Sequence, residues 1–175
     1  VSNSYSKLPH KPIVVTEPWY EFVSGNPSGR DIRLGAWGAI LSGAAGHTYG
    51  GGHIWLAHVP ESPGGGGPWP LEKDFNSSTL DYPGAVSMGH LSNFFKKIDW
   101  WELAPHPELL HDYPDKFCLA LPGKELIIYL RWAGGVKVDL NPSTEGDVFE
   151  YYWFNPAEGK SYPVKSVNGG EIKYF

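Results

Sequence analysis

The residues whose types and spacing suit chemistry are Glu17 and Glu21, set around Trp19 and Tyr20 in Val14-Val15-Thr16-Glu17-Pro18-Trp19-Tyr20-Glu21. Two carboxylates beside two aromatic rings suit the hydrolysis of a glycosidic bond, in which one acid attacks or activates water and the other protonates the leaving group. Such a pair stands about 5–5.5 Å apart for retention of configuration, or about 6.5–9.5 Å for inversion. Four extended residues would hold Glu17 and Glu21 roughly 13 Å apart. Glu21 therefore joins Glu17 in catalysis only if residues 18–20 fold back. Otherwise it is a structural or substrate-contacting residue. The plainer alternative is a strand followed by a loop with ordinary surface glutamates.

A second group follows at His47, Tyr49, His53, Trp55 and His58. The histidine spacing fits no zinc signature and no cysteine pair joins it, so no metal is expected. Tyr49 and Trp55 either stack on sugar rings or fill the end of the fold. Trp69, in a loop with four successive glycines at 64–67, is a candidate ligand contact. That loop lacks a Gly-Lys-Ser/Thr ending and its prolines remove amide donors, so it is no phosphate loop. Arg30 and Arg33 suit an anionic group, with surface solvation as the default. Ser42 and Ser87 lack a Gly-x-Ser-x-Gly context.

The elements that must position these residues follow from pattern. Ile13-Val14-Val15 is an unbroken β-branched run limited by Pro12 and Pro18, as in a strand buried on both faces of a parallel sheet, which puts Glu17 at the sheet's C-terminal edge. Asp31 is the expected N-cap of a helix through about Ser42, followed by a strand at His47-Thr48-Tyr49 and a glycine turn. Strand, helix and strand make a βαβ unit. After a long loop at 60–81, Asp81 is the expected cap of a second helix, whose Leu91, Phe94, Phe95 and Ile98 share one face. From Phe117 onward, short strands at 117–121, 126–132, 136–140, 148–154, 162–167 and 171–175 alternate with Gly and Pro turns. They predict a small antiparallel β-sandwich. The expected domains are 1–111 and 112–175, with the boundary at 112–116. Trp100, Trp101, Trp132 and Trp153 are assigned to core or interdomain packing.

The bulk composition is that of an ordinary globular chain, 41% hydrophobic and 19% charged over 175 residues. A net charge of −5 without a Lys/Arg-rich run argues against nucleic acid. Cys118, the single cysteine, sits in Phe117-Cys118-Leu119-Ala120-Leu121 as a small hydrophobe, so no intrachain disulfide forms. No apolar run is long enough to span a membrane. The start at Val1, with neither Met nor a leader, implies a processed chain or one that begins inside a longer protein.

Together, the Val14–Glu21 run, Gly43-Ala44-Ala45-Gly46-His47-Thr48-Tyr49-Gly50, Trp55 and Leu80-Asp81-Tyr82-Pro83-Gly84-Ala85 resemble the apiosidase-like glycoside hydrolases, at the end of their catalytic (β/α)8 barrel. The tail, with Tyr152-Trp153-Phe154-Asn155-Pro156 and Gly159-Lys160, resembles the β-sandwich after that barrel. This domain type carries a collagen-binding label, although nothing in these residues selects collagen. The resemblance implies a fold of α/β plus all-β type: a partial barrel, its last two strand–helix units, followed by the sandwich. It implies hydrolysis of O-glycosidic bonds in plant-type polysaccharide or oligosaccharide, with Glu17 as nucleophile. The candidate substrate-binding residues are Glu21, Trp19, Tyr20, His47, Tyr49, His53, Trp55 and Trp69, and no cofactor is expected. The general acid would come from a strand before Val1 or from another chain. Expected partners are a carbohydrate, and a second copy or the missing barrel segment; the expected location is secreted or periplasmic. The alternative is a non-catalytic carbohydrate-binding or scaffold module.

Overall fold

The structure is a computed structural model that describes residues 1–23, 27–55, 57–58, 73–74, 80–112, 114–115, 117–144 and 146–175. After a short helix α1 (Ser2–Tyr5), the chain lays down β1 (Val14–Val15), β2 (Tyr20–Glu21), the long helix α2 (Gly29–Leu41), β3 (Gly46–His47) and β4 (Gly50–Gly51). Then come α3 (Gly52–Trp55), β5 (Ala57–His58), β6 (Lys73–Asp74) and the second long helix, α4 (Pro83–Phe95). β1 pairs in parallel with β3, β2 with β4, and β5 with β6.

The βαβ expectation is met, with corrections in detail. The strand expected at His47–Tyr49 is two pieces, Gly46–His47 and Gly50–Gly51. β1 is not buried on both faces: Val14 is exposed. A strand in a two-stranded sheet has one neighbour, and Val14 is left about half exposed. The cap of α2 is Ser28, not Asp31. The Ser28 hydroxyl accepts from the Asp31 amide, and the Asp31 carboxylate takes the Ser28 amide at 2.9 Å, a reciprocal capping box. Those Ser28 bonds hold the Asp31 carboxyl below its usual range. The cap of α4 is Tyr82 rather than Asp81, because Pro83 pre-sets the first helical turn. Ile98 falls beyond the end of α4.

The C-terminal part holds β7 (Ala104–Pro105), β8 (Leu110–His111), β9 (Phe117–Leu121), β10 (Glu125–Tyr129), β11 (Lys137–Asp139), β12 (Val148–Tyr151), β13 (Phe154–Asn155), β14 (Lys160–Ser161), β15 (Lys165–Asn168) and β16 (Ile172–Tyr174). Among the described residues they form four small antiparallel sheets, in the orders β10-β9-β7, β16-β11-β8, β12-β15 and β13-β14. β7 and β8 precede residue 112 yet pair with β9 and β11, so two of these sheets draw strands from either side of that position.

Two apolar cores hold the parts together. One gathers Leu109, Leu110, Cys118, Ala120, Val136, Val138 and Leu140 inside the β module. The other joins the long helices to it. Trp37 of α2 is buried and stacks on Tyr129 at 5.6 Å and 10°, with Phe94 at 5.2 Å edge-on and Phe95 and Phe154 at 5.5 and 6.0 Å. Aromatic pairs of this kind add about 0.5–1.5 kcal/mol each beyond burial. Among the described residues no helix is long and apolar enough to cross a membrane.

Trp37→Ala is expected to lower unfolding free energy by about 3–5 kcal/mol in urea titration, and to loosen helices and β module together. A loss below about 1 kcal/mol would mean that the ring cluster does not join them.

Candidate functional site

The two parallel pairs β1–β3 and β2–β4 lie along the same two stretches of chain, but the register changes between them. Val15 faces His47, and Tyr20 faces Gly50. Residues 16–19 on one stretch therefore face only 48–49 on the other, and the surplus bulges outward. Glu17 sits in that bulge with φ +50°, in the left-handed region that non-glycine residues rarely occupy. Backbone held there costs of order 1–3 kcal/mol and clusters at functional sites. Thr48 pins the bend from both sides: its amide donates to the Val15 carbonyl at 3.0 Å, and its hydroxyl accepts from the Glu17 amide at 3.0 Å.

The Glu17 side chain is exposed, and its Oε1 accepts a 2.9 Å hydrogen bond from the Tyr20 hydroxyl. That bond raises the Tyr20 pKa, so the phenol stays a donor to the carboxylate. Trp19 is about half exposed and lies over α2, where a Cβ at Gly35 would come 3.2 Å from its Cζ3 and 3.9 Å from His47 Nε2. A side chain at position 35 would press on the Trp19 ring, which would have to give by a few tenths of an ångström. Both ring nitrogens of His47 are out of solvent and lack a hydrogen-bond partner among the described residues. Burial lowers its pKa from 6.5, which keeps the imidazole neutral.

Glu21 has a different environment. It is 1% exposed, and its Oε2 accepts from the Tyr49 hydroxyl at 2.8 Å and the Gly84 amide at 2.9 Å. Gly84 lies in the first turn of α4, whose dipole favours a carboxylate there. A Cβ at Gly84 would collide with that carboxylate. Burial first, then the bond to Glu21, raises the Tyr49 pKa strongly, so the phenol remains a donor. Glu21 thus ties β2, the stretch after β3 and α4 together from the inside, and its described bonds are all internal.

The sequence-chosen residues divide accordingly. Glu17, Trp19 and Tyr20 meet at one exposed bend. Glu21 and Tyr49 meet beneath it. His47 and Tyr49 line a groove of about 530 Å³ with Met88, Leu91, Trp100 and Trp101. His53 and Trp55 lie in α3, directly after Gly51. Trp69 and most of the 60–81 loop lie outside the described residues. Trp101, Trp132 and Trp153 are corrected from packing residues to exposed ones, whereas Trp100 packs on the helix core. Thr48 was missed: its importance depends on the pairing of strands about 30 positions apart, for which a single sequence carries no signal. Gly84 was also missed, although Pro83-Gly84 at a helix start signals a free amide beside an acid. Among the described residues no cluster of His, Cys, Asp or Glu could hold a metal ion. Buried Cys118 has its thiol pushed up to about 12, mainly by desolvation, which leaves it un-ionised at neutral pH.

A family model described as "Apiosidase-like, catalytic domain" matches residues 1–102. Two solved structures share the fold at 21% identity each. One, titled "Glycoside hydrolase", covers all of this chain with a TM-score of 0.79. The other, a glycoside hydrolase family 5 protein from Bacteroides vulgatus ATCC 8482, covers 99% of it with a TM-score of 0.76. This chain spans 41% and 39% of their respective lengths. No curated protein matches the chain significantly.

Tyr49→Phe leaves the buried Glu21 carboxylate one donor short and is expected to cost about 1–3 kcal/mol of stability; an unchanged urea midpoint would contradict the internal tie. His47 sets an acid limb. The unfolded imidazole takes a proton near 6.5 and the folded one only at lower pH, so its stability contribution is complete above 6.5 and is lost as pH falls. His47→Gln should flatten the fall in melting temperature between pH 6.5 and 5, and an unaltered slope would place the titration elsewhere.

Proposed function

Because this chain belongs to the apiosidase-like glycoside hydrolases, we propose that it is the C-terminal portion of an enzyme that hydrolyses O-glycosidic bonds of plant-type polysaccharide or oligosaccharide. Glu17 is the nucleophile in this reading. The observation that carries it is the Glu17 bend: an exposed carboxylate at a strained φ of +50°, held by Tyr20 where two parallel strand pairs change register. Strain at a strand end is worth keeping where a side chain must be aimed outward.

In this reading the parallel strands are the last of a (β/α)8 barrel, α2 and α4 are its outer helices, and Glu17 stands at the strand ends where barrels hold their catalytic groups. Trp19 and Tyr20 border the sugar, with Tyr20 also steadying the carboxylate. Glu21 supports the bend from below. The general acid comes from polypeptide outside this chain, by association with the remaining barrel strands or another copy. The greater length of both structural relatives supports that division. Glu17 then attacks the anomeric carbon while the acid protonates the departing oxygen, and water releases the glycosyl ester in a second step.

Glu17→Gln in the longest natural polypeptide containing residues 1–175 is expected to lower kcat by at least about a thousandfold on aryl glycosides, with the fold intact by circular dichroism. Turnover undiminished in that variant would remove Glu17 from the mechanism.

A further inference from the structure

The β module carries a groove of about 820 Å³ that the chemistry at Glu17 does not use. Four large aromatic residues in its lining are exposed: Trp132 (51%), Tyr152 (46%), Trp153 (43%) and Tyr162 (53%). The module's own core is filled by other, buried side chains, so these rings are not needed for packing. Concave walls bearing rings and a few polar groups are what a small-molecule site requires, and sugars offer apolar C–H faces to such rings.

The charges in the lining narrow the ligand. Arg30, Arg33 and Arg131 outnumber Glu125 and Glu150 there, although the chain as a whole carries −5. Arg30 Cζ lies 5.1 Å and Arg131 Cζ 4.9 Å from the Trp132 ring centroid. Arg30 donates to the Arg131 carbonyl at 3.4 Å, and the Asp31 carboxylate, in the same first turn of α2, feels the charge of both guanidiniums. Arg131 is 3.9 Å from Asp115, and Arg33 donates to the buried Ser87 hydroxyl at 3.2 Å. Arg30 and Arg131 thus stand together on one indole, and Arg30 is exposed to solvent. A guanidinium pair matches a planar carboxylate by bidentate, charge-assisted hydrogen bonds, whereas a neutral sugar offers it only weaker, uncharged hydroxyl acceptors.

We propose that this groove is a second carbohydrate site that takes a uronate-containing oligosaccharide. Arg30 and Arg131 hold a carboxylate beside Trp132, while sugar faces lie on Tyr152, Trp153 and Tyr162. The site is separate from Glu17 and stands whether or not Glu17 is a nucleophile.

Calorimetric titration of the 175-residue chain with hexagalacturonate, hexamannuronate and neutral cellohexaose tests this. At least one acidic hexamer is expected to bind, and cellohexaose at least about tenfold more weakly. Arg30→Ala and Arg131→Ala should each weaken acidic binding about tenfold, Arg30→Lys should fall between, and Trp153→Ala and Tyr162→Ala should weaken it as well. Glu17→Gln should leave it unchanged. Circular dichroism identifies a variant that has lost its fold, and Arg30 is exposed, so its substitution leaves the buried cores intact. The proposal is overturned if neither acidic hexamer binds, if cellohexaose binds as tightly, if folded arginine variants bind like the parent, or if Glu17→Gln abolishes binding.

Discussion

The arrangement around Glu17 depends on the buried carboxylate of Glu21. A charge out of water must be met by donors or it costs several kcal/mol. Here the Tyr49 hydroxyl and the Gly84 amide, at the N-terminus of α4, meet it. Those two bonds fix β2 against the stretch after β3 and draw the start of α4 up to both. With Glu21 held inside, the extra residues between Val15 and Tyr20 have no room in the ladder and must leave it. They leave at Thr16–Trp19, and Glu17 absorbs the turn in its positive φ. The carboxylate that faces solvent is thus set by the one that does not.

The aromatic core around Trp37 extends this constraint. The same two helices that flank the parallel strands bury rings against Tyr129 and Phe154 of the β module. Strands β7 and β8 add backbone pairing from residues just after α4. The β module is therefore packed on the helices rather than strung behind them. This packing places Arg30, in the first turn of α2, beside Arg131 and Trp132 of the module. The groove's charge is shared between two parts of the chain that sequence spacing alone would separate.

Much of this was legible in the sequence where local chemistry decided the outcome. The β-branched run bounded by prolines marked β1 and put Glu17 at its end. Proline and apolar spacing marked α4, and alternation with Gly turns marked β9 and β11. The failures have particular causes. Asp31 was chosen as a cap although Ser28 stands three residues earlier, and the reciprocal box needs both. The outward bulge at Glu17 depends on the register of two strands joined through a helix, which no local pattern encodes. Trp132 and Trp153 were assigned to packing because ring size suits a core and a groove equally. Only their exposure in the folded chain, about half for each ring, shows that they face outward.

The most direct test of the central claim, that Glu17 is the reacting carboxylate, is covalent trapping. The longest natural polypeptide containing this chain would be incubated with 2-deoxy-2-fluoro glycosides bearing a good leaving group, and its peptides mapped by mass spectrometry. The account requires the fluoroglycosyl ester on Glu17. An ester on any other carboxylate, with Glu17 unmodified, would contradict it.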